Sequence, residues 1–430
     1  MVTLEVRWMI PWLALKLTPA AALLLELEAD LRYTIYVVLA LMVLVRCAFV
    51  LQSGRLVKLD TFGFASLGIL FVASAVPNIG ETLALPYWAE LLPLCRGLFL
   101  AASLPVLVAG SKRPQLWLYT YFLSLLSFQV YGLIASTQIV EGATLNRFDI
   151  DEQRITGVYT NSWSYSYSAL VFTVCSLLMW RRSDRGVLQN TYLLLSLLGF
   201  VGVFFSICRG ALVAMPLVMF FWAFESLLKR RGTELRVHGT RIILIGISVG
   251  VLLLGGSFAV GYLFPHEVGY YLGLWDRRLQ PGLEGESVRW ASNVAGVQMF
   301  LEYPMFGVGW DRSYYLGPDF GGVQMTCHNG LIQAAAEGGL LGLAFSVGLL
   351  CLLPFRLFMR WREVPGSLIF LGGWLGVLAY NMLASNYMLE SHWDMLCFWI
   401  LYTASTKSSS VPKPSAVPAA TLFAVRPGAA

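Results

Sequence analysis

Charge is scarce in this chain. Lys, Arg, Asp and Glu together make up 13% of its 430 residues, while 57% are hydrophobic. Soluble domains carry about 25% charged residues, and a soluble protein of this length would need a large polar surface. The scarcity excludes that class and implies that lipid covers most of the molecule. Histidine is scarcer still: His238, His266, His328 and His392 are all there are. Their spacing fits no close metal-ligand set, so no metal is expected. The seven cysteines contain no CxxC pair and mostly lie in apolar runs, where they read as small buried hydrophobes. There is no internal repeat. The net charge of +5 does not point to nucleic acid; it matters through where the Lys and Arg residues sit. Pro11 and Lys16 interrupt the first apolar stretch and no small-residue cleavage site follows, so a first membrane segment rather than a removable signal is expected there.

What the chain does have is a long series of apolar runs. A spanning helix needs about 20 mainly apolar residues. On that basis about 12 spans are expected, near 9–27, 33–51, 61–76, 87–108, 115–135, 163–180, 188–206, 210–227, 242–264, 330–354, 366–385 and 392–405. The fold class is therefore an all-α polytopic membrane protein. Arg55 and Lys58 follow the second span, Lys112 and Arg113 the fourth, and Arg181, Arg182 and Arg185 the sixth. A run from Lys229 to Arg241 follows the eighth, and Arg356, Arg360 and Arg362 follow the tenth. Basic loops face the cytoplasm, which puts both termini there. The odd-numbered exits then face outward. Two of them are long, at about 136–162 and 265–329. The expected organisation is a bundle over 1–405, a helical periplasmic loop over 265–329 inserted within it, and a disordered cytoplasmic tail over 406–430, rich in Ser, Pro and Ala. Lys16 and Arg46 are placed to snorkel to an interface. Arg96 lies deeper, with Glu90, Glu225 and Glu337 as candidate partners.

The outward loops carry arginines where the topology rule expects few. Arg147 and Arg154 lie in the first loop, Arg209 in the short turn between spans seven and eight, and Arg277, Arg278, Arg289 and Arg312 in the long loop. A guanidinium binds phosphate oxygens in pairs, so such a cluster suits a lipid-linked phosphate or diphosphate. Arg277, Arg278 and Arg312 also fit salt bridges to Asp276, Glu284, Glu286 and Asp311. Arg209 has no acid near it in sequence. Residues 286–302 read as a helix, with Val288, Ala291, Val294, Ala295, Val297 and Leu301 at helical spacing. Arg289, Asn293 and Gly296 share its neighbouring face. Tyr303-Pro304 ends it, and Gly307-Val308-Gly309 makes a tight turn that suits close backbone approach to a ligand. His328-Asn329 opens span ten, with Asn329 as a helix cap and His328 a candidate base at the interface. Glu337 lies about two turns further into that span, beside glycines suited to close packing. Trp163, Tyr165, Tyr167, Trp275, Trp290, Trp310, Tyr314 and Tyr315 read either as rim aromatics for sugar stacking or as an interface belt.

Taken in order, Arg289-Trp290, Phe300, Pro304, Gly307, Gly309, His328-Asn329, Glu337-Gly338 and Gly342 resemble the signature of the O-antigen ligase and polymerase superfamily. Cys208-Arg209-Gly210-Ala211 resembles its Ser-Arg-Gly motif, with Cys in place of Ser. Arg154 to Asn161 resembles its earlier Gly-and-Asn element. The resemblance covers about 154–345. It implies a metal-independent, inverting glycosyltransferase of the bacterial inner membrane that needs no cofactor. Its donor would be a polyprenyl-diphosphate (undecaprenyl-diphosphate) glycan, and its acceptor a glycan or lipid-core sugar. Arg209 and Arg289 would hold the diphosphate and His328 would act as base. Arg154, Asn161, Asn329, Glu337, Trp290, Gly307 and Gly309 are the substrate-binding candidates. Other polysaccharide assembly proteins are candidate partners. Polymerisation of repeat units is favoured, because nothing marks a lipid A-core acceptor site; a ligase is the alternative. A lipid-linked glycan transporter is disfavoured, because its charges would be spread through the membrane depth and its halves related by symmetry.

The topology yields the first prediction. Ser183→Cys and Gly232→Cys should be shielded from an impermeant thiol reagent in intact cells whose outer membrane is permeable, and Gly285→Cys should label. The reverse pattern would sink both the orientation and the outward-facing site.

Overall fold

The computed structural model describes residues 9–14, 16, 29–52, 85–109, 111–136, 148–149, 154–155, 162–183, 186–206, 208–229, 283–309, 312–352, 355, 359, 364–383 and 390–409. Within them the chain is helical apart from one two-residue ladder. The expected spans near 61–76 and 242–264, most of both long loops' remaining residues, Asn161 and the end of the tail lie outside the described residues.

The apolar runs become helices because nothing in them breaks the backbone ladder for about 20 residues. Helix α1 is Ala29–Gln52, α2 Leu85–Ala109 and α3 Pro114–Ser136. The strands β1 (Phe148–Asp149) and β2 (Arg154–Ile155) pair antiparallel, Asp149 opposite Arg154. Then come α4 (Ser162–Arg182), α5 (Gly186–Phe205) and α6 (Arg209–Lys229), the last with Pro216 inside it. Helix α7 is Leu283–Glu302, and α8 is Arg312–Leu316, followed by a 3-10 turn over Gly317–Phe320. Helix α9 is Gly330–Val347 and continues as a π turn over Gly348–Leu352. Helices α10 (Ser367–Leu383) and α11 (Glu390–Ser409) follow. Among the described residues, Pro114–Leu133, Gly186–Phe204 and Gly330–Val347 are long and apolar enough to cross a membrane. Val37–Val50, Phe99–Ala109, Val213–Ser226 and Ser367–Met382 are shorter apolar stretches. Among the described residues the fold is helical but for that ladder, and its apolar helices are those of a membrane protein.

Helix α4 sits in the middle of the bundle, packed against α3, α5, α6, α10 and α11. Buried charges pin this bundle. Lys16 does not snorkel: its Nζ lies 3.1 Å from Asp394 on α11 and 3.8 Å from the centre of the Tyr121 ring. The Tyr121 hydroxyl donates to the same carboxylate at 2.6 Å. A carboxylate inside the bundle offers the ammonium a closer partner than the interface does, and stranding either charge would cost about 3–5 kcal/mol. Glu225 and Glu337, two of the partners considered for Arg96, are engaged elsewhere. Glu225 pairs with Arg181 at 3.1 Å and accepts from the amides of Gly366 and Ile369, satisfying the open first turn of α10.

The loop 303–309 makes the most consequential contact. Helix α9 is broken at Gly339, whose φ is 60°. In an unbroken helix the Leu340 amide would donate to Ala336. Here it donates to Pro304 O at 2.7 Å, and Ala336 O accepts from Val308 N at 2.8 Å instead. Glu337 O accepts from Gly309 N at 3.0 Å. The loop thus fills the hydrogen bonds that the break leaves open. Only glycine tolerates this approach: a Cβ on Gly339 would lie 2.5 Å from the backbone of Met305, and one on Gly307, at φ 69°, 2.4 Å from that of Glu337.

Gly339→Ala should therefore be strongly destabilising, by more than about 2 kcal/mol, since left-handed strain alone costs about 1–2 kcal/mol. Gly186→Ala, whose added Cβ meets nothing within 4 Å, is the control. Thermal unfolding of purified protein in detergent should separate the two; equal midpoints would overturn the account of the break.

Candidate functional site

Helix α7 packs on α9 through small residues. Ala295 and Met299 meet Ala336, Cys327 and Val308, and a Cβ on Gly296 would lie 2.4 Å from Cys327 Sγ. The helix predicted over 286–302 is present, but its buried face differs from the apolar stripe expected. Trp290 and Leu301 are 72% and 71% exposed, and Val294 and Val297 also face outward. Hydropathy marks the large residues, whereas close helix approach selects Ser292, Ala295 and Gly296. This packing brings the first half of α7, with Arg289, beside the start of α9.

His328 stands there, 8% exposed. Its Nε2 is 3.0 Å from Met325 Sδ. A thioether accepts but does not donate, so the contact assigns the proton to Nε2 and the lone pair to Nδ1. Burial, and then the positive charge of Arg289, push its pKa down to about 4. The imidazole is neutral at physiological pH. Asn329 caps α9 as expected: its Oδ1 accepts from the amides of Leu331 and Ile332 at 3.0 and 3.2 Å. Its Nδ2 reaches Met382 Sδ at 3.8 Å.

Met382 belongs to the last turn of α10, and so does Tyr380. Cys208, which precedes Arg209, contacts the Tyr380 hydroxyl at 3.4 Å. A Cβ on Gly210 would lie 2.9 Å from the Tyr380 ring. The start of α6, with Arg209, and the start of α9, with His328 and Asn329, therefore gather at one end of the bundle around the end of α10. The strand β2, with Arg154, lies against α3 and α4. The side chains of Arg209 and Arg154 lie outside the described residues.

The other candidates take different places. The Glu337 carboxylate is 1% exposed and accepts from Ser313 Oγ at 2.6 Å and Gln333 Nε2 at 3.1 Å, which fastens α8 to α9. Gly307 and Gly309 bring the loop backbone onto Ala336 and Glu337. Trp290 stands on the outward face of α7. Tyr165 and Tyr167 are fully buried and are not rim aromatics. Tyr167 stacks edge-on to Tyr380 at 4.8 Å and accepts from Asn381 at 3.4 Å, supporting the end of α10 from inside. Tyr314 and Tyr315 are exposed. Sequence reasoning missed Met325 and the Ser313–Gln333 pair. A methionine or serine in an interfacial loop carries no signal of its own; these become visible only once α8 and α9 touch.

A search of the curated proteins finds no significant match for the chain. The family model described as O-antigen ligase matches residues 194–347, a segment that contains Arg209, Arg289, the Gly307–Gly309 turn, His328 and Glu337. The match includes the elements that the structure gathers at one end of the bundle, and over this segment the chain is similar to the O-antigen ligase family.

Proposed function

We propose that the protein transfers a polyprenyl-diphosphate-linked glycan to a sugar hydroxyl at the periplasmic face of the inner membrane. The family supports ligase or polymerase activity on a lipid-linked glycan in general terms. The observation that carries the finer reading is the placement of a neutral, buried His328 under the charge of Arg289, at the bundle end where Arg209 opens α6.

The chemistry follows from the charges. The bond between the anomeric carbon and the diphosphate oxygen breaks, and negative charge grows on the departing diphosphate. The guanidinium groups of Arg289 and Arg209 are assigned the role of stabilising that charge. The acceptor hydroxyl oxygen bonds to the anomeric carbon from the opposite side, with inversion. Its proton passes to the His328 imidazole. A pKa of about 4 makes the imidazole a weak base in the empty site. The bound diphosphate offsets the Arg289 charge that depresses it and raises it toward the useful range. On this reading Asn329, Trp290, Arg154 and Asn161 contribute to binding donor and acceptor. Polymerisation of repeat units is the favoured product, with ligation to a lipid-core sugar as the second outcome. A deletion strain separates them on a glycan gel. Single repeats still joined to core indicate a polymerase. No attachment to core, with lipid-linked polymer accumulating, indicates a ligase.

Single-turnover transfer by purified variants, with a synthetic lipid-diphosphate donor, tests the roles. His328→Ala should lose at least about 10²-fold, the usual contribution of a positioned base. Retention of more than roughly a tenth of the rate would remove the base role. Arg209→Lys should lose most activity at normal protein level, because an ammonium lacks the paired contact to phosphate; full activity would show that charge alone suffices.

The titration of His328 gives a separate check. In donor-free protein its ring NMR signals should titrate near 4. Arg289→Gln removes a positive neighbour that disfavours the imidazolium, so the midpoint should rise, though burial keeps it below the ordinary 6.5. A wild-type midpoint between about 6 and 7, the ordinary histidine range, would contradict the geometry.

A further inference from the structure

A groove of about 1300 Å³ lies where the end of α7, the loop 303–308, α8 and the 3-10 turn meet. Its walls carry Gln298, Glu302, Tyr303, Arg312, Asp319 and Phe320. It is separate from the His328–Arg289 site. Gln298 is nine residues along α7 from Arg289, which places it about 14 Å further on and half a turn round, on the opposite face of the helix.

The lining selects among ligands. Tyr303 is 47% exposed, and its hydroxyl lies within electrostatic reach of the Glu302 carboxylate and of Arg312. With Glu302 and Asp319 on its walls, the groove repels a diphosphate, whose charge the single Arg312 would not balance. A lipid tail would cover these carboxylates and Gln298 with hydrocarbon, which offers them no hydrogen bond. A saccharide satisfies both parts of the lining. Its hydroxyls donate to Glu302 and Asp319 and accept from Gln298 and Arg312. Its C–H faces lie on the exposed rings of Tyr303 and Phe306, the latter also on the groove wall. Arg312, considered above as a phosphate ligand, belongs to this groove.

We propose that the groove is an oligosaccharide subsite that holds the glycan several sugars away from the reacting bond. This rests on the glycan-transfer reading and adds to it a second point of hold, fixed to the reaction centre by the hydrogen bonds between the loop and α9. A glycan reaching from His328 must pass round α7 to enter it, so the subsite engages only chains beyond a minimum length.

The probe is the single-repeat oligosaccharide released by mild acid from the lipid-linked glycan of a strain lacking the protein. Its binding to full-length protein in detergent is followed by saturation-transfer NMR. Wild type and His328→Ala should both bind it, because the groove is independent of the base. Tyr303→Ala and Glu302→Gln, both surface changes checked for folding by size-exclusion profile, should weaken it about tenfold or more, as expected for loss of a charged hydrogen bond. In transfer assays the half-saturating concentration of donor or of acceptor should rise in the same two variants, and the one that rises identifies which glycan the groove holds. Wild-type binding without transfer by any variant would leave the subsite standing and reject the transferase reading. Absence of wild-type binding, or binding and half-saturation unchanged in both groove variants, would overturn the proposal; a groove that instead captures a protein partner would give that result.

Discussion

The arrangement at this end of the molecule depends on a helix that stops hydrogen-bonding to itself. At Gly339 the backbone of α9 turns to φ 60°, and the groups released are taken up by Pro304, Val308 and Gly309. Three hydrogen bonds of 2.7–3.0 Å are individually modest, about 1 kcal/mol each. Left unmade in an apolar setting, each group would cost several times that. The seam is therefore close to obligatory once α9 is broken. It fixes the end of α7 to the middle of α9, and with it the position of everything α7 carries.

Two consequences run in opposite directions from that seam. Toward the start of α9, the small residues of α7 let it lie against Cys327 and Ile332, and Arg289 comes within electrostatic reach of His328. Toward the other side, the same loop forms one wall of the groove, and Ser313 bound to Glu337 holds α8 as another. Glu337 is thus best understood through what it fastens. Its buried carboxylate accepts from Ser313 and Gln333, and removing them would loosen the hold of α8 on α9 beside the break.

Much of this was legible in the sequence because membrane helices are written in long apolar runs. The spans near 33–51, 87–108, 115–135, 163–180, 188–206, 210–227 and 366–385 each match an observed helix within a few residues, and so does the loop helix at 286–302. The full span count is untested, since two of the expected spans lie outside the described residues. Long-range partners were not legible. Lys16 reads as a snorkelling residue until Asp394, far along the chain, is seen 3.1 Å away. Tyr165 and Tyr167 read as rim aromatics because spacing cannot tell which face of α4 meets a neighbour. The face of α7 was misjudged for a related reason: periodicity weighs hydrophobicity, while backbones that pack closely choose residues for being small. The glycines at 307 and 309 were recognised as permitting close approach, but what approaches is the α9 backbone. Of the site, Asn329 could be read locally as a cap. The meeting of Arg289 with His328 could not, because it depends on how α7 lies on α9, and only the resemblance tied those two residues together.

The electrostatics of the proposed reaction centre favour one order of events. An imidazole held near pKa 4 by burial and by Arg289 takes up a proton poorly while the site is empty. In the proposed reaction, a donor diphosphate would bring the negative charge that makes proton uptake favourable, and its departure as a leaving group would increase that charge just as the acceptor hydroxyl loses its proton. Base strength and leaving-group stabilisation are then coupled through the same guanidinium. A water molecule or hydroxyl that arrives before the donor meets a weak base, so the site is most reactive only when both substrates are in place. That coupling needs Arg289 and His328 at a fixed separation, and this separation is set by how tightly α7 is bound to α9 at the break.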